Sequence, residues 1–71
     1  MKYLIILIAG TIITIVGNGA NGLVHNFPIG TEGKVVKSYS DIIGTYYRIE
    51  ATIEGKPLVQ TVDATNIKEK K

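Results

Sequence analysis

Few side chains in this sequence carry reactive chemistry, and their spacing decides what they can do. His25 is the only histidine. Acid–base or ligand work by an imidazole needs a carboxylate or second ligand nearby, and the first acidic residue of the chain is Glu32, after the histidine. Asp41 and Asp63 fall at turn-like positions, where aspartate commonly bonds its own backbone. Ser38 and Ser40 have no base at a recognisable spacing to activate a hydroxyl. Metal sites gather three or four ligands; no His/Asp/Glu spacing supplies them, and the absence of cysteine removes thiolate sites and disulfides. The chain is therefore read as non-enzymatic, with no catalytic residue, metal ligand or cofactor assigned. Its most interesting side chains are tyrosines. Tyr47 is expected to face a core; Tyr46 is expected to face out near Arg48 and Tyr39. An exposed tyrosine–arginine patch suits contact with a protein partner better than base stacking here. Tyr39, Tyr46 and Arg48 are the candidate partner-contact residues.

A second constellation is tempting. Gly17-Asn18-Gly19-Ala20-Asn21-Gly22 matches G-x-G-x-x-G after an apolar run, and Asp41 stands where a ribose-binding acid would. Pyrophosphate binding needs the third glycine to open a helix, with a supporting sheet behind it. Asn26, Pro28 and Gly30 break any helical pattern, and 71 residues cannot hold the βαβ unit and its sheet. The stretch reads instead as a Gly/Asn-rich linker over residues 18–29.

The elements that position the tyrosines follow from period-two patterning. Residues 32–39 read as a first strand and 40–44 as a turn. Residues 45–54 are the clearest strand, with Tyr47, Ile49, Ala51 and Ile53 on one face and Tyr46, Arg48, Glu50, Thr52 and Glu54 on the other. Gly55-Lys56 reads as a tight hairpin turn. Residues 58–63 return antiparallel, with Pro57 suited to the start of an edge strand. Residues 63–66 form one short helical turn, and 67–70 a last short strand.

The other large signal is the apolar run at residues 3–16, YLIILIAGTIITIV, without a charge. It is read as an apolar helix over residues 1–17 that anchors the chain in a membrane or is buried in an assembly. The membrane segment comprises Leu4, Ile5, Ile6, Leu7, Ile8, Ile12, Ile13, Ile15 and Val16. Fourteen helical residues span about 21 Å, short of a hydrocarbon core near 30 Å. A signal peptide cut after Gly19 or Ala20 is the second reading. A buried strand is the third: the β-branched content suits it, but the length does not.

Residues 30–71 are the β domain. With Lys2 set aside, seven Lys/Arg face six Asp/Glu, so a nucleic-acid partner is disfavoured. The basic cluster Lys68, Lys70 and Lys71 reads as a solvated tail.

The strand order and the entry Pro28-Ile29-Gly30-Thr31-Glu32-Gly33-Lys34-Val35-Val36 resemble small SH3-like barrels, including KOW-type domains and accessory-subunit barrels. The resemblance spans residues 28–70. It implies a "G-T-x-G-x-V-V" opening of the first long strand, with Gly33 allowing a close approach or bulge. An incomplete OB-like barrel or a three- to four-stranded meander is the alternative. There is no tryptophan, and no ligand residues are carried over. The expected fold is thus mainly β, an apolar N-terminal helix followed by a small antiparallel barrel. The expected function is a membrane-tethered accessory or structural subunit, or a protein-interaction module. Its expected contacts are a protein partner or second copy and membrane lipid, with no small-molecule substrate. The alternative is a secreted or virion-type β-protein whose leader is removed.

Overall fold

The computed structural model describes residues 6–42 and 44–70. Five strands follow in order: β1 (Ile12–Ile15), β2 (Glu32–Ser40), β3 (Thr45–Ile53), β4 (Lys56–Asp63) and β5 (Ile67–Glu69). Single 3₁₀ turns sit at Ala20–Gly22 and Ala64–Asn66. All pairings are antiparallel, in one sheet of order β4-β3-β2-β1-β5.

The N-terminal expectation is corrected. Among the described residues there is no α-helix, and the apolar run contributes a strand. Two features split the run. Gly10, at φ 95, closes a turn in which the Thr11 N–H donates to the Ile8 carbonyl at 3.1 Å. Beyond it, Ile12–Ile15 is β-branched throughout, which favours strand over helix, and both of its edges find partners, β2 on one side and β5 on the other. Among the described residues no helix is long and apolar enough to cross a membrane, so the expected single-pass helix is not supported. The leader cut is corrected as well: a cut after Gly19 or Ala20 would remove β1, whose Ile13 and Ile15 are fully buried. Ile6, Ile8, Ile12 and Val16 are exposed and Leu7 packs on the core edge; Leu4 and Ile5 lie outside the described residues. The sheet covers one face of β1 and leaves the other open.

The hairpin from β3 to β4 turns through Glu54 (φ 51) and Gly55 (φ 80), two consecutive positive φ values as in the type I′ turns that match strand twist. The β2–β3 register slips between Val35 and Lys37, leaving Val36 as an extra, bulged residue. The inner face carries Ile13, Ile15, Val35, Tyr47, Ile49 and Val62, all essentially inaccessible. Gly33 belongs to that face because nothing larger fits: a Cβ there would lie 2.8 Å from Ile49 Cγ2 and 3.1 Å from the Glu50 carbonyl oxygen. Tyr47 reaches the open end of the core, where its hydroxyl accepts the Leu7 N–H at 3.1 Å.

The segment between β1 and β2 folds back on the sheet. Asn18 brackets His25, accepting from its N–H at 2.9 Å and donating to its carbonyl at 2.8 Å. His25 and Phe27 are buried behind that clamp.

If β1 is a core strand, Ile15→Ala costs about 2–5 kcal/mol and Gly33→Val about 1–3 kcal/mol through overpacking. Ile8→Ala, on a side chain that is 75% exposed, changes stability by no more than about 0.5 kcal/mol. Urea unfolding of the three full-length variants, followed by circular dichroism, checks this; an Ile15→Ala chain as stable as the parent would remove β1 from the core.

Candidate functional site

The bulge at Val36 decides what β2 shows to solvent. Val35 points inward opposite Ile49. Strict alternation would then send Lys37 and Tyr39 inward too. The extra residue reverses the phase, so Ser38 lies opposite the buried Tyr47 while Lys37 pairs with Arg48 and Tyr39 with Tyr46. These four side chains form two adjacent rows on the outer face. The rings of Tyr39 and Tyr46 stack with centroids 5.4 Å apart and planes 17° apart, the offset arrangement aromatic pairs prefer. Lys37 Nζ stands 5.4 Å from the centre of the Tyr39 ring. Across β4, Arg48 lies opposite Thr61 and Tyr46 opposite Asp63.

Beyond Tyr46 the face sinks into a cavity of about 220 Å³ lined by Asn21, Leu23, Asp41, Gly44, Tyr46 and Asp63. Three chain segments build it. The β2–β3 turn is closed by the Asp41 N–H donating to the Gly44 carbonyl at 3.0 Å, and Asp41 Oδ1 accepts the Gly44 N–H at 3.3 Å. Asp41 Oδ2 accepts the Tyr46 hydroxyl at 2.8 Å. That bond, with smaller contributions from desolvation and the Asp41 charge, raises the Tyr46 pKa above its usual 10.0 and keeps the phenol a donor. The 3₁₀ turn at Ala20–Gly22 forms the opposite wall; the Ala20 N–H donates to Asn66 Oδ1 at 3.0 Å. The wall also stays close because Gly17 presses on Asn66, whose amide leaves no room for a Cβ.

Asp63 ties these walls together. It caps the second 3₁₀ turn, with Oδ2 accepting from the Thr65 N–H at 2.9 Å and the Thr65 hydroxyl at 2.6 Å, while Oδ1 accepts the Asn21 amide at 2.8 Å. Burial alone would push its carboxyl up. The three donors outweigh that and hold it below its usual 3.8.

Of the residues singled out in the sequence, Tyr39, Tyr46 and Arg48 lie on one outer face and Tyr47 in the core. Lys37, Leu23, Asn21 and Asp41 were not singled out as parts of that surface. The signal for Lys37 was present: K-S-Y after V-V puts a lysine in an inward position unless the phase shifts. His25 is placed elsewhere, with Nε2 donating to the Gly17 carbonyl at 2.7 Å and Nδ1 accepting the Phe27 N–H at 3.1 Å. Among the described residues no group of His, Asp or Glu is gathered for a metal ion. No family model, curated protein or solved structure matches the chain.

A carboxyl held below its unfolded value adds stability that is full above the unfolded pKa and is lost as pH falls through the lower folded one. Asp63→Asn is therefore expected to melt below the parent at about pH 7, with the gap narrowing as the pH is lowered below the usual carboxylate value and through the depressed one of the folded state. Thermal melts across a falling pH series test this; equal melting at neutral pH would contradict the role given to Asp63.

Proposed function

We propose that this chain is a non-enzymatic protein-interaction module, an accessory or structural subunit that docks a partner on the outer face of β2 and β3. The observation that carries the reading is the stacked, half-exposed Tyr39–Tyr46 pair beside a small cavity. Tyrosine offers a large contact area with a polar tip and little rotamer entropy to lose, which is why it is enriched where interfaces draw their energy. At about 220 Å³ the cavity is smaller than the roughly 300–1,000 Å³ of small-molecule sites. It suits one inserted side chain.

The non-enzymatic reading draws support from how the reactive groups are used. Both ring nitrogens of His25 are committed to backbone partners in a buried setting. Asp41 and Asp63 use carboxylate oxygens to close turns. The SH3-like resemblance is supported by the order β4-β3-β2-β1-β5 and by the 3₁₀ turn between β4 and β5. It remains a reading of architecture and lends no ligand to the site.

Selection of random dodecamer peptides displayed on phage against the full-length chain tests the proposal. Enriched peptides are expected to lose at least about tenfold in affinity, about 1.4 kcal/mol, on Tyr39→Thr or Tyr46→Thr. They are expected to bind unchanged to Thr52→Lys, a substitution on the same sheet away from the platform. Failure to enrich any peptide, or peptides indifferent to both tyrosine substitutions, would overturn it.

A further inference from the structure

The outer face carries one arrangement that costs stability and that the fold does not need. Elsewhere on the β2–β3 ladder opposite charges face each other, as Lys34 does Glu50. At the next outward row Lys37 and Arg48 stand directly opposite, both exposed. Like charges at directly opposed positions repel. Among the described residues neither cation has an ion-pair partner. Lys37 Nζ stands over the Tyr39 ring, and both cationic side chains are open to solvent. A single carboxylate set between the two would take charge-assisted hydrogen bonds from both and cancel the repulsion.

The neighbouring features state what else such a ligand carries. The tyrosine row lies two residues along each strand from the cation row, about 7 Å away, and the cavity walled by Leu23, Gly44 and Tyr46 opens beyond it. Two to three residues of extended chain, at roughly 3.3 Å each, cover that span.

Building on the docking reading above, we propose that the partner is an acidic extended peptide segment: its carboxylate sits on Lys37 and Arg48, and an apolar side chain two or three residues away fills the Tyr46 cavity. A nucleic-acid strand fits less well. The two rings stack on each other, so each already has one face taken. Asp41, bonded to the Tyr46 hydroxyl, puts negative charge at the cavity mouth, and the chain as a whole carries only +2.

The test is fluorescence anisotropy with the full-length chain and three labelled probes. The first is a decapeptide of serine and threonine with two adjacent glutamates and a leucine three residues on. The second has lysines for the glutamates. The third is a twenty-nucleotide oligothymidine. The acidic peptide is expected to bind at least about tenfold tighter than the lysine peptide, and to lose about tenfold when its leucine becomes serine. Arg48→Glu is expected to reverse the preference while its melting temperature stays level or rises, because it replaces repulsion with attraction. That combination separates a ligand-binding role from a structural one.

Equal binding of both peptides, still lost on Tyr46→Thr, would overturn the acidic assignment and leave the docking reading standing. Tighter binding of the oligothymidine, or no binding of any probe, would overturn both. A dimer of the chain alone, seen by sedimentation and dissolved by Arg48→Glu, would give the face to a second copy and overturn the peptide assignment.

Discussion

One extra residue in β2 sets the outer surface of this molecule. A strand has only two faces, and shifting its phase by one residue exchanges them. Before Val36, the inward positions of β2 are Gly33 and Val35; after it, the inward position is Ser38 and the outward ones are Lys37 and Tyr39. Without the bulge a lysine would have to enter a core built of isoleucine, valine and tyrosine, at a desolvation cost that no partner there offsets. The bulge removes that conflict, and in doing so it lines up Tyr39 with Tyr46 and Lys37 with Arg48. The tyrosine platform and the opposed cations are two consequences of a single backbone irregularity.

The bulge matters only because the inner face is so tightly defined, and β1 defines it. The chain covers one face of β1 and leaves Ile12 on the open one. It still closes both edges of that strand, with β2 and β5. The close approach at Gly33, opposite Ile13 in the register, lets Ile49 and Ala51 reach across. The Asn18–His25 clamp and the Asp63–Asn21 bond then fasten the β1–β2 segment down. These bonds satisfy the polar groups the segment buries: among the described residues, no buried side-chain nitrogen or oxygen is left without a partner. The wall of the cavity is thus fixed by the same contacts that hold the core shut.

Much of this was legible in the sequence. The period-two patterns placed β2, β3, β4 and the short turn before β5 within a residue or two, and the alternation in β3 put Tyr47 inside and Tyr46 and Arg48 outside. The apolar run was not legible as a strand. Its length and lack of charge are what a lipid-facing helix shows, whereas a short strand paired on both edges and buried on one face needs neither property. The break at Gly10 and the β-branched Ile12–Ile15 were the quieter indications. The membership of Lys37 in the site was hidden for a related reason: a bulge has no residue signature of its own, and only the conflict of a lysine in an inward phase points to it. The cavity wall contributed by Leu23 and Asn21 depends on how a glycine-rich segment folds back over more than forty residues of sequence to Asp63, which no local pattern encodes.

The phase reversal and the burial of β1 are both read in one experiment, a nuclear Overhauser spectrum of the isotope-labelled full-length chain in solution. The account predicts cross-peaks between the Tyr39 and Tyr46 rings, between the backbones of Lys37 and Arg48, and from the Ile13 and Ile15 methyl groups to Ile49 and Tyr47. Cross-peaks that instead put the Tyr39 ring against the core isoleucines, or isoleucine methyl groups without any contact to β3, would contradict it.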